Sequence, residues 1–316
     1  MSAVFPNRAV VLLAGPTASG KSALAVRLAQ ALDGVVINAD ASQIYADLAI
    51  LSARPTLPEM AGVPHRLFGV RDGARPCSAA DWAALAEAEI TTAWDAGRVP
   101  ILVGGTGLYL RALLDGLADV PPIPSTIREA VRALATPDLQ AALETADPVM
   151  AARLNANDRQ RQARALEVVR ATGQSLGHFH GAAHAPLTRL GADPIVRLLL
   201  LPPRATVYAR CDARLARMLE AGALEEVRTL LARGLDPALP VMKAVGVREL
   251  AAVLAGDSDE PAALAAAQQA TRHYAKRQFT WFRNQFNGWA QFENADADAT
   301  FDELAIKLRE YGLTLK

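Results

Sequence analysis

AVVLLAGPTASGKSALAVRLAQAL, residues 9–32, sets three patterns end to end. Residues 9–14 are a short, unbroken apolar run, as expected of a strand buried on both faces. Residues 21–32 space Leu24, Leu28 and Leu32 four apart, on one face of a helix. Between them, GPTASGKS (15–22) satisfies G-x-x-x-x-G-K-[ST] in the strand-to-helix setting that this motif requires. Successive backbone N–H groups in such a loop, with the positive end of the following helix, cradle phosphate oxygens. Gly15, Pro16, Thr17, Ala18, Ser19, Gly20, Lys21 and Ser22 are therefore candidate phosphate ligands. Lys21 would neutralise terminal charge and Ser22 would hold Mg²⁺.

Outward from this loop, VVIN (35–38), VPILV (99–103) and IVRLLLL (195–201) read as further buried strands. Ser78 and Asp81 resemble a capping box opening a helix that ends at Gly97. Strands alternating with helices predict an α/β fold, a P-loop core whose parallel sheet is flanked by helices. The texture changes between residues 115 and 190. DVPPIPS (119–125) is a proline-rich break, the pattern after it is helical, and HFHGAAHAPL (178–187) is a second irregular stretch. The expected organisation is a first part of the core over 1–114, a mostly helical insertion over 115–190, and a second part with C-terminal helices over 191–316. His178, His180 and His184 are read as a solvated loop, since no nearby Cys or acid completes a ligand set.

The 316 residues are 51% hydrophobic and carry 33 cations against 33 anions. That balance excludes a generally basic coat, so any grip on nucleic acid must come from local patches. Cys77 and Cys211 form no C-x-x-C pair, so neither a disulfide framework nor a zinc knuckle is implied. No run approaches the ~18 apolar residues of a membrane span, and the first apolar run is too short for a signal-peptide core. A reduced, cytoplasmic, soluble monomer is expected.

Phosphate-hydrolysing relatives of this loop usually add a strand ending in an acid, but VPILV runs into GGTGLY (104–109). The acid at a strand end is Asp40, in VVINADASQIY, which reads as a metal ligand, a proton acceptor or a helix cap. Thr106 supplies a hydroxyl after the third strand. Arg210, Arg214 and Arg217 share one helical face, suited either to a diphosphate or to solvent. In TRHYAKRQFTWFRNQ (271–285), Arg272, Lys276, Phe279 and Arg283 fall within a narrow arc at ~100° per residue, with Tyr274 and Trp281 opposite. That predicts an outer cationic ridge anchored by two core rings.

Taken together, GPTASGKS, NADASQIY, GGTGLYLRALLDGL, DPVMAARLNANDRQRQARALEVVRATG, AVGVREL and TRHYAKRQFTWFRN stand in the order and spacing of the tRNA dimethylallyltransferases. The resemblance covers about residues 9 to 284. It implies transfer of a dimethylallyl group from its diphosphate to the exocyclic amine of the adenosine 3′ of the tRNA anticodon. It implies further that residues 15–22 hold that diphosphate with Mg²⁺, rather than ATP, with Arg210 and Arg214 assisting. By the same resemblance Asp40 is the general base, Thr106 is an active-site threonine, and Asp40, Ala41, Ser42 and Gln43 surround the target adenine. The implied contacts to the anticodon stem-loop are Arg128; Gln160, Arg161, Gln162, Ala163 and Arg164; Lys243, Ala244, Val245, Gly246, Val247 and Arg248; and Lys276, Arg277, Gln278, Phe279, Thr280, Trp281, Phe282 and Arg283. The chain departs from the family at Ala41 and Ser42, where Ser and often Met are usual, and at Val247, where Tyr is usual. A P-loop kinase for a small metabolite and an RNA-binding ATPase are the rival readings. Both require ATP or GTP, whereas the transferase prefers the prenyl diphosphate.

Overall fold

The computed structural model describes residues 8–118, 120–181, 186–313 and 315. The chain divides into two compact units, Met1–Leu114 with Pro186–Lys316, and Asp115–Ala185.

The first unit is built on a six-stranded parallel sheet: β1 (Val10–Ala14), β2 (Gly34–Asn38), β3 (His65–Arg66), β4 (Val99–Gly104), β5 (Ile195–Leu200) and β6 (Ala290–Phe292). Their order across the sheet is β3-β2-β4-β1-β5-β6. The four strands predicted from apolar runs are the central four. The edge strands β3 and β6, two and three residues long, are too short to print a period on the sequence. Every residue of β1, β2 and β4 is buried, and Leu24, Leu28 and Leu32 of the helix Lys21–Leu32 pack against them. Each such side chain contributes about 1.5–3 kcal/mol on burial. The helix Ala79–Asp95 opens with the expected capping box at Ser78 and Asp81. Its Trp82 is fully buried, donates its indole N–H to the Asn38 carbonyl (2.8 Å) and stacks on Tyr109.

Register decides where the loops meet. Ala14 lies level with Gly104, and Asn38 with Val103. The chain moves from β1 to β2 and β3 on one side, then to β5 and β6 on the other. Open α/β sheets take ligands at the carboxyl ends of the strands flanking such a reversal. Residues 15–22, 39–43 and 105–107 all emerge there.

The second unit is helical, with Ser125–Ala133, Thr136–Ala146, Pro148–Arg153 and Arg159–Thr172 as its principal helices. Asp147 and Asp158 cap two of them through the N–H groups of Met150 and Arg161, and Gly173 ends the last. Val131, Leu139, Leu143, Met150, Ala165 and Leu166 form a separate apolar cluster.

Candidate active site

The glycine loop is held open by its own backbone. Ala18 and Gly20 adopt positive φ (59° and 91°). The N–H groups of Thr17 and Ser19 are engaged, by Gln278 Oε1 (2.8 Å) and the Pro16 carbonyl (3.3 Å). Those of Ala18, Gly20, Lys21 and Ser22 have no acceptor among the described residues. Ser19 Oγ is buried beside Gly15 without a hydrogen-bond partner among the described residues. Free donors and an orphaned hydroxyl in one loop are the arrangement an anion completes. Lys21 Nζ donates to the Pro16 carbonyl (3.2 Å). Burial pushes its pKa down to about 8; nearby Asp40 opposes that shift and Arg214 adds to it.

Arg210 and Arg214, on Arg204–Glu220, reach this loop. Arg214 donates to Thr17 Oγ1 (3.4 Å). Arg210 Nη1 lies 4.0 Å from where a Cβ would stand on Gly20, and its Nη2 donates to the Ala295 carbonyl (2.7 Å). Arg217 instead donates to the Ala213 carbonyl of its own helix.

Asp40 is 8% exposed and caps no helix, because residues 41–44 run as turns. Its Oδ1 accepts from the Ser42 N–H (3.0 Å) and hydroxyl (2.6 Å), which leaves Oδ2 for a proton. Asn38, fully buried and not singled out from sequence, fixes the Asp40 backbone. Its amide donates to the Asp40 carbonyl (3.0 Å) and its Oδ1 accepts from the Asp40 N–H (2.8 Å). The signal was present: a polar residue closing an apolar strand must find hydrogen bonds when buried. Thr106 ties the two strand ends together, with Oγ1 accepting from the Ala41 N–H (2.9 Å) and its N–H donating to the Ala39 carbonyl (3.2 Å). A Cβ on Gly104 would lie 2.0 Å from the Ala39 carbonyl oxygen, so only glycine permits this approach. Gln43 spends both amide protons on the Ser52 and Ala53 carbonyls (3.0 and 2.8 Å).

The loop following Gln43 is anchored from behind by Ala223–Ala232. Glu226 accepts three consecutive N–H groups, those of Ala49, Ile50 and Leu51, at 2.6 to 2.9 Å. Arg233 bridges Asp47 and Asp72. Sequence reasoning missed this brace because Glu226 reads as an ordinary acid in a helix's first turn.

The helix Glu260–Gln285 corrects the predicted ridge. Phe279 and Phe282 are fully buried and Gln278 is 6% exposed, whereas Tyr274 and Trp281 are only partly covered. Phe279 therefore sits in the core with Ala275, and the two expected core rings face an open cavity of about 220 Å³, also lined by Thr106, Leu108 and Arg277. Trp281 lies flat enough on the turn that a Cβ on Gly107 would stand 1.9 Å from its ring. Of the implied RNA contacts in this block, Phe279 is fully buried, and Phe282, equally buried, lines the floor of that cavity. Gln278 is a strut: its amide spans the Thr17 N–H and the Gly105 carbonyl (2.8 Å each). Arg272 is paired with Asp212 (2.6 Å), while Lys276, Arg277, Thr280 and Arg283 are exposed.

Burial also divides the other two blocks. Gly246 and Val247 are buried, while Lys243 and Arg248 are exposed and Ala244 and Val245 partly so. In the second unit Gln162 is buried and donates to the Asn155 carbonyl (2.9 Å). Gln160, Arg161 and Arg164 are exposed, Ala163 is half-buried, and Arg128 donates to the Ile123 carbonyl (3.4 Å). His178 packs edge-on against Phe179. His184 and the side chain of His180 lie outside the described residues.

For the metal, no group of three or more His, Cys, Asp or Glu side chains could hold an ion among the described residues. Ser22, exposed in the first turn after the loop, fits the alternative mode, in which Mg²⁺ takes one or two protein oxygens beside substrate phosphates and water.

Comparison with known proteins adds the chemistry of relatives. The IPP transferase family matches over residues 43–285. A tRNA dimethylallyltransferase of Sphingopyxis alaskensis is 58% identical over 308 residues, 96% of this chain and 100% of its own length. That of Erythrobacter litoralis is 56% identical over 93% of this chain and 95% of its own. Among solved structures, a full-length tRNA isopentenylpyrophosphate transferase from Bacillus halodurans superposes with a TM-score of 0.69 at 32% identity, covering 96% of this chain and 98% of that one. A eukaryotic dimethylallyltransferase described as acting on tRNA reaches 0.80 at 25% identity, covering 96% and 77%.

Proposed function

The chain belongs to the IPP transferase family, that of the tRNA dimethylallyltransferases, and from that premise we propose how its residues divide the reaction. It transfers the dimethylallyl group of dimethylallyl diphosphate to the N6 amine of the adenosine 3′-adjacent to the tRNA anticodon, releasing diphosphate. The kinase and ATPase readings, which the glycine loop alone allows, do not fit this family.

The free N–H groups of Ala18, Gly20, Lys21 and Ser22 hold the diphosphate, with Lys21, Arg210 and Arg214 placed to offset its charge as it departs. Ser22 would hold Mg²⁺, which when bound adds positive charge against the leaving group. An adenine amine is a poor nucleophile, because its lone pair is delocalised into the ring. Asp40 Oδ2 accepts the amine proton as the new C–N bond forms. Thr106 orients the base beside the cavity of Leu108, Tyr274 and Trp281, into which the adenine is unstacked at a cost of a few kcal/mol. Contacts from exposed side chains of the blocks 160–164, 243–248 and 276–283, with Arg128, offset that cost and hold the stem-loop. The protein works as a cytoplasmic monomer. The described helices contain none long and apolar enough to cross a membrane.

The observation that carries this division is the meeting of Asp40, Thr106 and the donor-rich loop at three neighbouring strand ends. The test is nucleoside mass spectrometry of undermodified tRNA incubated with protein, Mg²⁺ and dimethylallyl diphosphate. A prenyl mass gain on adenosine, lost in Lys21→Ala and Asp40→Ala, is the expected result. Undiminished transfer by both variants would overturn the assignment.

A further inference from the structure

Glu167, on Arg159–Thr172, has a side chain only 4% exposed. A carboxylate so buried requires cationic partners. Two converge on it. Arg132 Nε, from Ser125–Ala133, lies 3.2 Å from Oε1, and Arg164 Nη1 lies 3.7 Å from Oε2. Neither cation is buried with it, their side chains being 66% and 44% exposed. One acid thus holds two guanidinium groups at the surface, and an uncompensated positive charge remains. Arg128, four residues before Arg132, shares its helical face; Glu129 on the same helix is exposed. The neighbouring arginines are engaged differently. Arg159 donates to the Arg132 and Leu134 carbonyls (3.0 and 2.6 Å), and Arg161 pairs one to one with Asp158 (3.1 Å).

One cation suffices to neutralise the Glu167 carboxylate, so the second guanidinium leaves surplus positive charge at the surface. Two guanidinium groups within 4 Å of one carboxylate repel each other, and an anion bound between them relieves that repulsion. Their remaining N–H groups face solvent in the planar fork that matches phosphate oxygens.

We propose that Arg132 and Arg164, held by Glu167, form a phosphodiester-binding site for the RNA substrate. Arg132 is then a substrate contact outside every sequence block assigned to RNA above, and Glu167 is a positioning residue. The inference rests on the tRNA-modifying activity of the family.

The experiment is the salt dependence of affinity for an unmodified anticodon stem-loop RNA, measured with the full chain. Wild type is compared with Arg132→Gln, Arg132→Lys and Arg309→Gln, the last an exposed cation of the C-terminal helix. Each phosphate contact contributes about 0.7–0.9 to the slope of log K against log salt. Arg132→Gln lowers the slope by about that amount, Arg132→Lys restores it, and Arg309→Gln and pyrophosphate affinity stay unchanged. An unaltered slope in Arg132→Gln, or an equal fall in Arg309→Gln, overturns the proposal while wild type still prenylates RNA. A wild type that neither binds nor prenylates RNA overturns the activity on which it rests.

Discussion

At the scale of single residues, the proposed function separates groups that would hold the anion from one that would take a proton. Asp40→Asn keeps the turn around Ser42 but removes the acceptor charge, and general-base catalysis is typically worth 10²–10⁴-fold. Turnover is expected to fall by about 10²-fold or more with pyrophosphate affinity unchanged, as read by single-turnover kinetics and calorimetry. An equal loss in both would mean that Asp40 serves the diphosphate. Lys21 makes a second prediction through pH. Its folded pKa is lowered to about 8 by burial, so the free protein releases this proton as pH rises through 8, while a bound anion favours the charged form. Binding therefore takes up a proton above about pH 8, and pyrophosphate affinity falls as pH rises further. Below that pH Lys21 is already charged and this dependence vanishes. Calorimetry in buffers of different ionisation enthalpy detects the uptake, and Lys21→Ala should abolish it.

At the scale of elements, the loop that follows Gln43 is held by a brace from another helix. Glu226 accepts three N–H groups of the loop that follows Gln43, and Leu51 of that loop packs against Gly246 in the 243–248 block. Hydrogen bonds to a charged acceptor are worth about 1.5–3 kcal/mol each, and they are not additive when one carboxylate makes all three. Glu226→Ala is expected to cost about 2–4 kcal/mol in urea unfolding and to lower turnover more than it weakens pyrophosphate binding. Glu226→Gln keeps one acceptor oxygen and should recover part of both. Unchanged turnover in the alanine variant would show that the loop needs no brace.

At the scale of the whole molecule, the chain combines a sheet-based unit with a helical unit that has its own apolar cluster. Leu139, fully buried there, should cost about 2–5 kcal/mol when replaced by Ala. Tryptophan fluorescence does not report on this unit, since all four tryptophans lie in the other. Amide hydrogen exchange should therefore show faster exchange in residues 125–172 of that variant, with the glycine loop and pyrophosphate affinity unaffected. Loss of pyrophosphate binding would show that the first unit depends on this cluster. The sequence by itself determined the glycine loop motif, the four central strands, the helical texture that sets in after residue 115 and the place of Asp40 at a strand end. These rest on local order: strand burial, helical period and loop chemistry are written in consecutive residues. It could not determine which residues of 271–285 face outward. A helical wheel shows which residues share a side, but packing against the rest of the fold decides which side is buried. Phe279 went inward and Trp281 outward because the glycine loop at Thr17 and the Gly104–Gly107 turn meet that helix through Gln278 and the face of Gly107. Gln278 and Glu226 became meaningful only in the fold, because each satisfies backbone groups far away in sequence. Those pairings come into being when the sheet register brings the strand ends together.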